Sequence, residues 1–146
     1  MDRELYQFLR NRIVQRLQRT NPEKAIDIAY VHNKVLTLIE EGEECICQGL
    51  SAEEIKQRLH ELAYGDLGLS PILLLAQVIR LHFPKEFEPD AQLYASTYYN
   101  HPEIKPYLDR IIEMFRGKDL RKGVECPEEI EAIRNALLPR ITARGY

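Results

Sequence analysis

Apolar positions recur along this chain at the spacing of a helix almost everywhere, and in one stretch they surround it. Leu5, Leu9, Ile13 and Leu17 fall four apart, with Tyr6 beside them, which predicts an amphipathic helix from Asp2 to Thr20. Asn21-Pro22-Glu23 reads as a restart, and a second helix is expected to run to Cys45 or Gln48. Its stripe is Ile28, Val31, Val35, Leu38 and Ile39, widened by Ile26, Ala29 and Leu36, and Gly42 is a place where it could soften or stop. So short a junction predicts an antiparallel hairpin over residues 1–48. Arg3 and Arg10 would then face the far end of helix two, where Glu40, Glu41, Glu43 and Glu44 cluster.

Ser51 with Glu54 is a capping box, and Ala52, Ile55, Leu59 and Leu62 follow as a third amphipathic helix. After the turn Tyr64–Gly68, Ser70 and Pro71 supply an N-cap and a first-turn proline. The residues from Ile72 to Phe83 are apolar on all sides except Gln77, Arg80 and His82, the mark of a helix wrapped by others. At about a dozen residues it is too short for a bilayer, which takes roughly 20. Pro84 to Pro89 reads as an acidic loop, Asp90 to Tyr99 as a short helix, and Ile104 to Phe115 as another, stopped by Gly117. Lys118 to Cys126 is expected as a charged loop, with a last helix over 127–138, Pro139 as its stop and 139–146 as a loose tail.

These elements predict an all-α protein. It is a single domain over 1–146, a bundle of about six or seven helices around a buried central helix at about 71–83. The hairpin fills 1–48 and the central helices 51–116. A length of 146 residues suits one such domain, and 7 glycines are too few for a turn-rich β fold.

The net charge of −3 is spread unevenly. Residues 1–20 hold five arginines against Asp2 and Glu4, while residues 21–63 are strongly acidic. No apolar segment follows the basic start, so no signal peptide is expected. Three cysteines suit reduced thiols in a cytoplasm.

Candidate chemistry is sparse. Cys45-Ile46-Cys47 has the wrong spacing for a zinc pair, and Cys126 stands alone. His32 lies on the stripe of helix two and reads as a core histidine. The Glu40–Glu44 run lacks the pattern of a calcium loop and reads as a solvated face or a partner for arginines. No catalytic, metal or cofactor residues are assigned, and no enzyme activity is expected. Residues 51–83 have the outline of a helix-turn-helix, but the second helix offers apolar side chains where bases would need polar ones.

Two surfaces remain: the arginines Arg3, Arg10, Arg12, Arg16 and Arg19 flanking the first stripe, and the aromatic patch of Tyr94, Tyr98 and Tyr99. No family resemblance guides the choice between them. The expectation is a small non-catalytic adaptor or regulatory module that binds a protein partner. It could also bind a second copy of itself, because the wide apolar arcs of the first two helices are rimmed by opposite charges. The alternative is a nucleic-acid-binding regulator using those arginines as phosphate contacts. The overall charge points to neither nucleic acid nor membrane.

Overall fold

The computed structural model describes residues 2–87, 89–118 and 125–143. Among them are nine helices and no strand, so the protein is all-α. The chain divides into two compact units, Met1–Leu67 and Gly68–Tyr146.

In the first unit, α1 (Arg3–Thr20) is capped by Asp2, whose carboxylate accepts from the backbone N–H of Glu4 (3.0 Å) and Leu5 (3.3 Å). The expected second helix is two. Pro22–Ala25 forms the single turn α2, and α3 (Ile28–Cys47) starts afresh because Asp27 caps it, accepting from Tyr30 N–H at 3.0 Å. A carboxylate that satisfies an orphan donor defines a helix start wherever it falls. The restart puts Ile26 and Ile28 at the junction, 82 % and 83 % exposed, and not on the buried stripe.

Gly42 does not end α3, which continues to Cys47. The true stop is Gly49, at φ +73°, with Leu50 N–H bonded to the Cys45 carbonyl and Gly49 N–H to that of Ile46. That pair of bonds is a Schellman cap, which needs the left-handed conformation only glycine adopts freely. α4 (Ala52–Tyr64) opens at Ser51, whose hydroxyl oxygen accepts from Glu54 N–H (3.2 Å) and whose O–H donates to the Glu54 carboxylate (3.0 Å). Ile13, Leu17, Val31, Val35, Leu38 and Ala63 form this unit's core.

In the second unit, α5 (Pro71–His82) starts at Ser70, which accepts from Leu73 N–H at 3.3 Å. Six of its side chains are buried, from Ile72 to Ile79. It packs against α6 (Pro84–Phe87), α7 (Ala91–Tyr98) and α8 (Lys105–Met114), and α8 packs on α9 (Pro127–Ala143). The stretch read as an acidic loop therefore holds a helical turn. Pro84 pre-sets its first residue, and Phe87, 1 % exposed, is drawn in among Phe83, Tyr94 and Tyr98.

Pro139 does not stop the last helix, nor is all of 139–146 a loose tail. α9 runs on to Ala143 and buries Ile141. Proline offers no N–H to the carbonyl four residues earlier, at a cost of about 3 kcal/mol in a helix interior. Burial of Ile141 opposes that cost, and the Arg140 side chain donates to the neighbouring Ala136 carbonyl at 3.1 Å. The same guanidinium meets Glu103 at 3.2 Å and the Nε2 of His101, tying α9 to the turn before α8. Most of the charged loop expected at 118–126 lies outside the described residues, as does the end of the chain. No helix is long and apolar enough to cross a membrane among the described residues.

Candidate functional site

The first unit has a groove of about 600 Å³ between α1 and α4. Its floor is apolar: Leu9 and Ile13 of α1, Leu38 of α3, and Leu59 and Ala63 of α4. Its walls are basic. Arg12, Arg16 and Arg19 recur at steps of four and three, which places them on one flank of α1. Lys56, His60 and Tyr64 recur at steps of four along α4. Among the described residues no Asp or Glu lines this groove.

Aromatic rings orient the cations. The Arg16 guanidinium lies 4.3 Å from the Tyr64 ring centroid, and His60 meets the same ring edge-on at 5.1 Å. Arg12 sits 5.4 Å over Phe8, which is 55 % exposed at the rim. None of the five arginines of α1 makes an ion pair with a carboxylate among the described residues. A guanidinium held on a ring keeps its planar donor edge free, suited to a carboxylate or phosphate.

Of the residues the sequence singled out, Arg12, Arg16 and Arg19 gather here, while Arg3 and Arg10 are exposed elsewhere on α1. Arg3 and Arg10 do not pair with the Glu40–Glu44 run. Glu41 instead meets Arg58 of α4 at 3.4 Å, and near the start of α1 Tyr6 shares a hydrogen bond of 2.6 Å with His32 Nδ1. His32 is thus exposed and bonded across helices, not buried in the core. Lys56, His60 and Tyr64 escaped the sequence because their spacing means little until α4 is set beside α1.

No family model, curated protein or solved structure matches this chain.

A larger groove, about 910 Å³, lies along α3 and α4, but its two cations are both paired and its four carboxylates outnumber them. Lys34 pairs with Asp66 at 3.1 Å and Arg58 with Glu41, so an incoming anion would have to displace a carboxylate. Beside it, burial pushes the Tyr30 hydroxyl above its ordinary pKa, while the Lys34 ammonium pulls the other way.

A shallow concavity of about 480 Å³ carries Glu40, Glu41, Glu43 and Glu44 with Thr37 and Cys47. Cys45 is fully buried with Sγ 3.7 Å from the Glu41 carboxylate, whereas Cys47 is exposed, so the two thiols face different surroundings. Among the described residues no three His, Cys, Asp or Glu are grouped to hold a metal.

The tyrosine patch belongs mostly to the second unit's core. Tyr98 is 4 % exposed, while Tyr94, tilted against Phe87 at 4.6 Å, and Tyr99, with Lys105 at 4.8 Å over its ring, are partly buried against the same core. The α5 face tested as a recognition helix is likewise covered.

Proposed function

We propose that this protein is a non-catalytic helical binding module, an adaptor or regulator, that holds an acidic segment of a protein partner in the groove between α1 and α4. The observation that carries it is the combination of four cations, Arg12, Arg16, Arg19 and Lys56, and no carboxylate, over an apolar floor. Such a groove attracts carboxylates at its walls and accepts apolar side chains between them, as an acidic amphipathic helix would supply. The groups converging there hold and orient charge. They do not form the paired acid and base that proton transfer needs.

A protein segment is favoured over nucleic acid by the surroundings. The same unit carries Glu40, Glu43 and Glu44, without a cationic partner among the described residues, and the acidic residues Glu53, Glu54 and Glu61 of α4. A short segment avoids them, but a long polyanion would be repelled. The nucleic-acid reading draws on a different observation, that Phe8 and Tyr64 stand among the arginines as rings on which unpaired bases could stack.

Fluorescence anisotropy separates the two. The probes are a labelled helical peptide with glutamate and leucine at helical spacing, poly-glutamate without the leucines, and single-stranded and duplex oligonucleotides. The expected result is saturable binding of the amphipathic peptide, weaker binding of poly-glutamate, and loss of about tenfold or more in Arg12→Glu/Arg16→Glu, equivalent to about 1.4 kcal/mol. Oligonucleotide binding that outcompetes the peptide and falls, for each tenfold rise in salt, by about 0.9 log units per phosphate contact on duplex or about 0.7 on single strands would establish the second reading instead.

Two wider expectations accompany this proposal. Three unbonded cysteines support a reducing compartment such as the cytoplasm. The burial of α5 supports a fold built around that helix, and a single cooperative calorimetric transition for the whole chain would support one domain.

A further inference from the structure

The groove lacks carboxylates of its own, yet the same unit carries a face that has the chemistry to fill it. Glu40, Glu43, Glu44 and Cys47 lie at steps of three, one and three near the end of α3, so they share one side of that helix. Glu40 and Glu43 have no cationic partner among the described residues, and Glu44 bonds only the Gln48 amide, at 3.1 Å. Ile46, three residues after Glu43 and next to that face, is 70 % exposed.

We propose that the acidic segment recognised by the α1/α4 groove is the end of α3 in a second copy of this chain, which rests on the binding reading above. Three features match. First, the guanidiniums from Arg12 to Arg19 are spread over seven helical steps, about 10 Å, and the carboxylates from Glu40 to Glu44 over four, about 6 Å, so the acidic patch fits within the length of the basic flank. Second, the charges are opposite and both sets are uncompensated within one copy, so association removes self-repulsion on both sides. Third, each surface has an exposed apolar side chain at its margin, Ile46 on one and Phe8 on the other, at 70 % and 55 % exposure.

Each copy carries both halves. A two-fold arrangement would use both pairings and close as a dimer, while a single pairing would leave open ends and grow with concentration. Contacts made largely of solvent-facing charges are individually weak, so association should appear at micromolar concentrations and above, and recede with salt.

Sedimentation equilibrium of the full chain at low and high salt tests this, with two charge-reversed variants. Arg12→Glu/Arg16→Glu cancels the groove's net positive charge, and Glu43→Lys/Glu44→Lys turns the Glu40, Glu43 and Glu44 face from acidic to basic. Wild-type protein should associate at low salt, each variant alone should be monomeric, and an equimolar mixture should associate again because the native α3 face of the first variant meets the native groove of the second. Circular dichroism checks that both variants fold, and Arg12→Gln/Arg16→Gln and Glu43→Gln/Glu44→Gln replace any that does not.

A wild-type monomer at high concentration that still binds the acidic peptide overturns the self-pairing and leaves the groove reading standing. A monomer that binds no peptide removes both. Association insensitive to both pairs of substitutions means another surface is used, and overturns the proposal as well.

Discussion

Lys34 is the side chain on which the first unit's geometry makes its sharpest energetic claim. Its ammonium donates to the Leu62 carbonyl at 3.2 Å and to both carboxylate oxygens of Asp66 at 3.2 and 3.1 Å, joining α3 to the last turn of α4. The lysine side chain is 13 % exposed and the aspartate 56 %. An exposed carboxylate gives up little when its pair is broken, so Asp66→Asn should cost at most about 0.5 kcal/mol. The Leu62 carbonyl is an orphan of the helix terminus, and a charged donor to such a group is worth about 1.5–3 kcal/mol. Lys34→Met keeps the aliphatic stem and removes the donor. Desolvation of the ammonium is relieved at the same time, so the net loss should be about 1–2 kcal/mol. Urea melts of both variants and the double mutant measure each term and their coupling. If Asp66→Asn costs as much as Lys34→Met, the ion pair and not the carbonyl bond carries the energy. If Lys34→Met is neutral, desolvation cancels the bond altogether.

Further expectations follow from burial. Leu75 and Ile79 are fully buried in the second unit, so Leu75→Asp or Ile79→Asp should abolish that unit's cooperative melting, because an unpaired carboxylate there costs several kcal/mol against a total of about 5–15. A soluble protein with wild-type melting would show that α5 is not part of its core. Burial also raises the pKa of the Cys126 thiol above 9.0 and of the Tyr30 hydroxyl above 10.0, so both are held protonated in the fold. The unfolded chain then loses these protons first as pH rises. Stability should be unaffected below about pH 8 and fall progressively above about 9, and Cys126→Ala and Tyr30→Phe should each flatten that alkaline fall in urea melts.

The parts of the fold that were legible in the sequence are those written in short-range chemistry. Ser51 with Glu54, and Ser70 with Pro71, announce α4 and α5, and the structure shows the hydroxyls capping as their spacing requires. Errors arose where a local signal had competitors. Asp27 was a cap hidden inside an apolar run, so α2 and α3 read as one helix. Gly42 and Gly49 look alike as breakers, and only the second meets the Schellman bonding that ends α3. Pro139 reads as a stop, yet the packing of Ile141 outweighs it. His32 falls on an apolar stripe by periodicity, but its partner Tyr6 lies 26 positions away. The groove was half legible for the same reason. The basic flank of α1 is a local pattern, while its completion by Lys56, His60 and Tyr64 depends on how α4 is set against α1.

That completion has a consequence for stability. Arginines four apart on one helix repel by about 0.2–0.5 kcal/mol, and Lys56 adds a fourth charge across the groove without a partner among the described residues. Concentrating these charges works against stability, and a bound anion would offset that repulsion. The cations are not equivalent, however. Arg16 is held on Tyr64 by a cation–π contact worth about 0.5–1 kcal/mol, but among the described residues no aromatic contact holds Arg19 or Lys56. Neutralising the latter two should therefore relieve repulsion at no loss of packing. Arg19→Gln/Lys56→Gln should leave the melting temperature unchanged or raise it slightly, and weaken binding of the acidic peptide. Arg16→Gln should weaken binding and lower the melting temperature together. If Arg19→Gln/Lys56→Gln instead destabilises the fold while peptide binding is untouched, these charges serve the packing of α1 on α4, and the groove is not a recognition site.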